Sequence, residues 1–321
     1  MAALYDEIPV LNLQDFISDN ADRKSRFVDE LGTACNDIGF VAITNHGLSS
    51  DLTEQLYQSV QSFFSLPEET KQHYEIAGLH GQRGYTGKGK EHAKGRTTGD
   101  LKEFYHVGQE NIPADLANEY PANVWPAEVP DFKDLTLQTF KTLEDAGKQM
   151  LRAMALYLDL DEQYFDNKVI GGNSILRPIH YFPIDNPESI PGDAVRAAEH
   201  GDINLITLLM GASADGLEVL RRDGKWIAIT ALPDQIVVNV GDMLERLTNK
   251  KLKSTIHRVV NPPKHLLRTS RYSIPFFMHP RSDMDLTCLP SCIDKNNPKL
   301  FKDITAGEFL TERLRELGLK D

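Results

Sequence analysis

The sequence predicts a mainly β fold, a sandwich or barrel in its C-terminal half, flanked by helices. Three observations predict it. Beyond about residue 173, stretches of strand character recur at 175–182, 203–209, 216–220, 226–229, 235–240, 254–260 and 272–277. Turn signals join several of them, the best being Arg222-Asp-Gly-Lys. Two long helical patterns, at 15–38 and 131–158, precede the strands.

In order, residues 8–13 read as a short strand and 15–38 as a helix with Phe27, Leu31 and Ala34 on its apolar face. Residues 39–44 read as a second strand, closed by Asn45-His-Gly. Ser49 or Ser50 caps a helix through Leu52, Leu56, Val60, Phe63 and Phe64, which Leu66-Pro67 ends. Residues 78–99 hold seven glycines and five basic residues and read as a long loop, either a solvated one or a lid. The 131–158 helix carries Phe140, Leu143, Ala146, Met150 and Leu151 at core-facing spacing. A last helix, 305–317, presents Phe309, Leu310, Leu314 and Leu317, with Thr305 and Glu308 placed for a capping box.

The 321 residues allow one large domain or two modest ones, and 40% hydrophobic with 26% charged residues is ordinary globular composition. The formal net charge of −12 disfavours a phosphate backbone as partner. No apolar run has the length of a membrane span, and the acidic start lacks the pattern of a signal peptide. These features predict a cytoplasmic protein acting on a small molecule, without nucleic acid or membrane. Cys35, Cys288 and Cys292 form no disulfide framework, and the C-x3-C pair lacks a second half-site for zinc.

The segment carrying chemistry is Glu199-His200-Gly201-Asp202. In an extended strand, His200 and Asp202 point to one face. His257, in a strand-like stretch 55 residues past Asp202, is the natural third ligand. Two imidazoles and a carboxylate on one face of a metal leave the other open, the facial triad of non-haem iron(II) oxygenases. Zinc with water in the fourth position is the alternative for the same donors. Arg271 and Ser273 also alternate onto one face. The arginine fork matches a carboxylate, and the hydroxyl adds a bond, which suits the far end of 2-oxoglutarate. A surface arginine paired with an acid is the plain alternative.

The chain resembles the isopenicillin N synthase-like group of iron(II)- and 2-oxoglutarate-dependent oxygenases over nearly its whole length. The likeness rests on residues 8–13, 39–47, 63–67, 176–183, 200–209, 216–219, 239–244, 257–259 and 271–277, in the right order and spacing. It implies a double-stranded β-helix (jelly-roll) core, with an N-terminal α/β region over 1–120 and the jelly roll over 121–321. It implies Fe(2+), 2-oxoglutarate and O2 as cofactor and cosubstrates, with hydroxylation of a small molecule and release of succinate and CO2. His200, Asp202 and His257 fall on the iron ligands, and Arg271 and Ser273 on the cosubstrate anchor. His180 and Tyr181 fall where the family often places polar contacts to cosubstrate or substrate. The family often has His-Thr-Asp where this chain has Gly201. The carboxylate ligand lacking in halogenating relatives is present. Some relatives on this scaffold dispense with 2-oxoglutarate, and Arg-x-Ser alone does not separate them.

Residues 84–90 match most of a phosphate-binding loop but fail at Glu91, where Ser or Thr would hold magnesium. No G-x-S-x-G turn supports an esterase. A jelly roll that binds without turnover is the non-enzymatic alternative. Arg83, Lys88 and Arg96 are candidates to meet an anionic group from the loop. Tyr85, Arg96, Phe104, Tyr105, Phe277 and Met278 are candidates for the substrate pocket, with core or loop packing as the plain alternative for each.

Overall fold

The structure is a computed structural model that describes residues 4–79, 81–90, 102–110, 112–116, 119–184, 196–211, 216–230, 232–261 and 267–316. It opens with strand β1 (Val10–Asn12), followed by two helices where one was expected: α1 (Leu13–Ile17) and α2 (Ala21–Asp37). The break falls at Ser18-Asp19-Asn20. Ser18 is extended, and the Asn20 side chain accepts from the Arg23 N–H to cap α2. Short polar side chains offer the backbone this alternative, which apolar periodicity does not register. Strand β2 (Phe40–Thr44) and helix α3 (Ser50–Phe64) follow, and the Ser49 hydroxyl accepts from the Leu52 N–H as the cap. α4 (Glu68–Gln72) starts just after Pro67.

Strand β3 (Gly84–Thr86) lies inside the expected 78–99 loop and pairs antiparallel with β4 (Lys102–Gly108), a strand the sequence reading did not include. The glycine run is therefore partly sheet. Residues 91–100, with Arg96, lie outside the described residues. α5 (Phe132–Tyr157) buries the expected stripe, and a short α6 (Asp166–Val169) follows.

Then come β5 (Ile175–Leu176), β6 (Ile179–Tyr181), β7 (Ala197–His200), β8 (Ile206–Met210), β9 (Leu217–Leu220), β10 (Trp226–Ala228) and β11 (Ile236–Val240). Helix α7 (Asp242–Leu247), strands β12 (His257–Val259), β13 (Arg271–Ser273) and β14 (Pro275–Met278), and helix α8 (Ala306–Glu316) complete the chain. Two expected strands are each divided, at Arg177-Pro178 and at Ile274-Pro275. Proline has no N–H for a ladder, and the chain changes sheet partners at both places. The β9–β10 hairpin turns where expected, with Gly224 at φ 82°. The Thr305 capping box forms: Glu308 accepts from the Thr305 N–H, and the Thr305 hydroxyl accepts from the Glu308 N–H.

The described strands make two sheets. The larger runs β1-β2-β11-β8-β14-β5-β4-β6-β13, with β3 beside β4, and the smaller runs β10-β9-β12-β7. This is the jelly roll, and residues on both sides of position 120 share its larger sheet. Between the sheets, Ile38, Phe40, Leu217, Val219, Ile229 and Val237 form one apolar cluster, and Phe104, Ile179 and Tyr181 another. The main core lies on the outer side, where α5 packs on β5, β8 and β14 and is flanked by α2 and α3. Gly147 permits that approach, since a Cβ there would lie 2.6 Å from Met278 Sδ.

The three cysteines are buried and unbridged. Among the described residues, no helix is long and apolar enough to cross a membrane. Replacing the α2 cap, Asn20→Ala, is expected to lower unfolding free energy by about 1 kcal/mol. Urea titration checks this, and an unchanged midpoint would remove the cap as the reason for the helix break.

Candidate metal centre

β7 ends at His200 and β12 begins at His257, and the two residues are register partners across the smaller sheet. Pairing puts the imidazoles side by side, with ring centres 4.4 Å apart. Asp202 is not in the strand, contrary to expectation; it lies in the turn beyond it, where its carbonyl accepts from the Asp242 N–H at 2.7 Å. The turn is needed: residues two apart in a strand are separated by about 6.6 Å. Here Asp202 Oδ1 lies 3.9 Å from His200 Nε2 and 3.7 Å from His257 Nε2. One ligand atom from each residue falls within 4.8 Å of the others. A Cβ at Gly201 would have Asp242 Oδ1 and Ser254 Oγ as nearest neighbours, each at 3.0 Å.

The hydrogen bonds behind these atoms suit a cation. His200 Nδ1 lies 2.7 Å from the Ala198 carbonyl and His257 Nδ1 3.1 Å from that of Thr255. A carbonyl only accepts, so each Nδ1 carries a proton and Nε2 is the ring atom left to face a cation. Asp202 Oδ2 accepts from Thr207 Oγ1 at 2.6 Å and Asn239 Nδ2 at 2.8 Å, while Oδ1 faces the histidines. Burial alone would raise the Asp202 carboxyl, but His257, His200 and those two bonds outweigh it and hold it below the usual range. Partial desolvation on its inward side, then the neighbouring His257, lowers His200 to about 4, so it is neutral at pH 7 as ligation requires. Asp202 and His257 are buried, but the His200 side chain is 45% exposed, which marks the open side of the centre.

Arg271 and Ser273 are both buried on β13, which pairs Arg271 with Tyr181 and Ser273 with Ile179 on β6. Alternation places these four, with Phe104 of β4, on the inner face. The Arg271 guanidinium carbon lies 5.0 Å from the Tyr181 ring centre. His180 sits on the other face. Its Nδ1 donates to Glu103 at 2.7 Å, its Nε2 lies 2.9 Å from the Ser270 hydroxyl, and Tyr272 stacks on it at 4.8 Å. Glu103, fully buried, also accepts from Lys71 and from the Tyr85 hydroxyl, each at 2.6 Å. His180 therefore belongs to a buried network that ties β4 and β6 to the helical layer, not to the inner face with Tyr181.

Of the other candidates, Phe104 and Phe277 reach the interior, with the Arg177 guanidinium between their rings at 4.5 and 5.1 Å. Tyr85, Tyr105 and Met278 pack into the main core. Arg83 is buried against Asn173 and the Gln82 carbonyl, and Lys88 lies over the Phe182 ring. Sequence reasoning missed Thr207, Asn239, Arg177 and Arg196. None of the four carried a signal in the sequence, because their roles depend on partners distant along the chain.

Comparison with known proteins places this constellation. The 2OG-Fe(II) oxygenase superfamily matches residues 172–280, and the family described as non-haem dioxygenase in morphine synthesis N-terminal matches residues 8–128. The 2-oxoglutarate-Fe(II) type oxidoreductase hxnY of Emericella nidulans is 31% identical, with 94% of this chain and 88% of that one covered. A crystal structure of a 2OG-Fe(II) oxygenase family protein from Caulobacter crescentus is 43% identical, with coverage of 96% and 98% and a TM-score of 0.86. A Neurospora crassa protein crystallised with alpha-KG is 31% identical, with coverage of 96% and 95% and a TM-score of 0.85. The chain belongs to the 2OG-Fe(II) oxygenase superfamily. It is an oxidoreductase that uses iron(II), 2-oxoglutarate and O2, and the donor set described above fits iron(II).

Partners of a ligating carboxylate tune metal affinity. Asn239→Ala removes one of the two bonds to Asp202 Oδ2 and is expected to weaken iron(II) binding by about 10- to 100-fold. Competition with a chromophoric chelator measures it, and wild-type affinity would show that the Asn239 bond does not position the carboxylate.

Proposed function

We propose that His200, Asp202 and His257 hold the iron(II), that Arg271 and Ser273 anchor the far carboxylate of 2-oxoglutarate, and that the chain hydroxylates a small organic molecule. The reading is carried by one observation: two imidazole nitrogens and one carboxylate oxygen converge within 4.8 Å at the mouth of a jelly roll. When bound, the metal supplies the oxidising chemistry that couples decarboxylation of the 2-oxo acid by O2 to attack on a C–H bond. One oxygen atom goes to the substrate as hydroxyl and the other to succinate, with CO2 released.

The chain does the positioning. Arg271 offers a planar fork of N–H donors to the carboxylate, Ser273 a hydroxyl on the same face, and Tyr181 a ring wall beside them. Burial of these side chains excludes water and strengthens each charged bond. Phe104, Phe277 and Arg177 line the interior and are the groups that would meet the substrate. Relatives bear names as different as proline hydroxylase and leucoanthocyanidin dioxygenase, and a Neurospora crassa neighbour was crystallised with thymine. Such a range fits a common centre with variable walls.

Anaerobic titration of the iron(II) protein with 2-oxoglutarate is expected to develop the weak visible charge-transfer band of the chelate. Losing a charged hydrogen-bonding partner costs about 1.5–3 kcal/mol, so Arg271→Ala is expected to weaken 2-oxoglutarate by roughly 10- to 150-fold. Iron binding without the band would sink the chelation reading. Asp202→Ala, folded by circular dichroism, is expected to lose 2-oxoglutarate turnover; full turnover would overturn the ligand assignment.

A further inference from the structure

A second arginine lies beside the proposed anchor. Arg196 is 1% exposed and immediately precedes β7. β7 carries a register shift between its His200–His257 and Ala197–Val259 pairs, and Arg196 leads into the strand just before it. Its Nη2 donates to the Thr269 carbonyl at 3.1 Å, which sets the guanidinium against the entry to β13. Its carbon lies 5.9 Å from the Tyr181 ring centre, the same ring that Arg271 approaches to 5.0 Å. Its Nε has no acceptor, and among the described residues no carboxylate pairs with it. Burial and then the Arg271 charge push its pKa down to about 10, still far above neutral, so the Arg196 guanidinium stays charged.

We propose that Arg196 is a second cation of the cosubstrate site, and that the far carboxylate of 2-oxoglutarate sits between the Arg196 and Arg271 guanidiniums. The inference rests on the assignment of Arg271 above and adds a residue to it. Arg196 is a buried charge with an unmet donor, and a carboxylate has two oxygens, one for each fork. The unused Arg196 Nε–H is a donor that the protein itself leaves unmet. A 2-oxo acid without a second carboxylate gains nothing from either arginine, which separates the two ends of the site.

The test is calorimetric titration of the anaerobic iron(II) protein with 2-oxoglutarate and, separately, with pyruvate, which chelates but has no far carboxylate. In Arg196→Met, 2-oxoglutarate is expected to bind at least about tenfold more weakly while pyruvate stays within about twofold. A folded Arg196→Met protein with wild-type 2-oxoglutarate affinity overturns the proposal, as does equal weakening of both acids, which marks a structural arginine. If the methionine variant fails to fold, Arg196→Lys keeps the charge and loses the fork. A selective loss of about threefold or more then supports the proposal, and a smaller one overturns it. Arg271→Met runs in parallel: if it too leaves 2-oxoglutarate unchanged, the anchor assignment itself has failed, and if it alone weakens binding, only the role of Arg196 has.

Discussion

The pairing of β7 with β12 is where the chemistry of this molecule is held. Neither strand exceeds four residues, yet their register sets His200 opposite His257. A slip by one residue would send one imidazole to the far face of the sheet. The apolar cluster beneath resists that slip, because Phe40 meets the His257 ring edge-on and Val219 is the register partner of His257 on the other side. Carbonyls of the same segments fix the ring tautomers. Sheet register, core packing and proton placement thus converge on one pair of nitrogen atoms.

Across the barrel, β4, β6 and β13 separate two kinds of buried polarity. Their inner face carries Arg271, Ser273 and the aromatic walls of Phe104 and Tyr181. Their outer face carries Glu103 with Lys71, Tyr85 and His180, a cluster whose charges are satisfied within the protein. The lysine, histidine and tyrosine donors hold Glu103 below the usual carboxylate range, even though burial alone would raise it. That closed network ties the three strands to the helical layer.

Much of this was legible in the residues. Arg-x-Ser was placed on one buried face by strand alternation, a local property, whereas Asp202 reaches the histidines from beyond the end of β7 and not along it. Helix caps at Ser49 and Thr305 were legible because they too are local. What escaped depends on partners distant in sequence. β4 carries Lys102, Glu103 and His106 in a strand buried on both sides, a pattern that reads as surface until His180 and Arg177 are placed beside it. His180 and Tyr181 looked equivalent, and alternation sends them to opposite faces. The division of the 15–38 helix turned on one asparagine side chain, and the divided strands on two prolines whose sheet partners no periodicity reveals.

The two bonds to Asp202 Oδ2 have a consequence for denticity. With Thr207 and Asn239 claiming that oxygen, the carboxylate offers one oxygen to a cation and cannot clasp it with both. A chelating aspartate would occupy one coordination position more, and O2 would then compete with the two donor atoms of the 2-oxo acid. Through those two bonds Thr207 and Asn239 would leave a bound iron(II) one position more for O2.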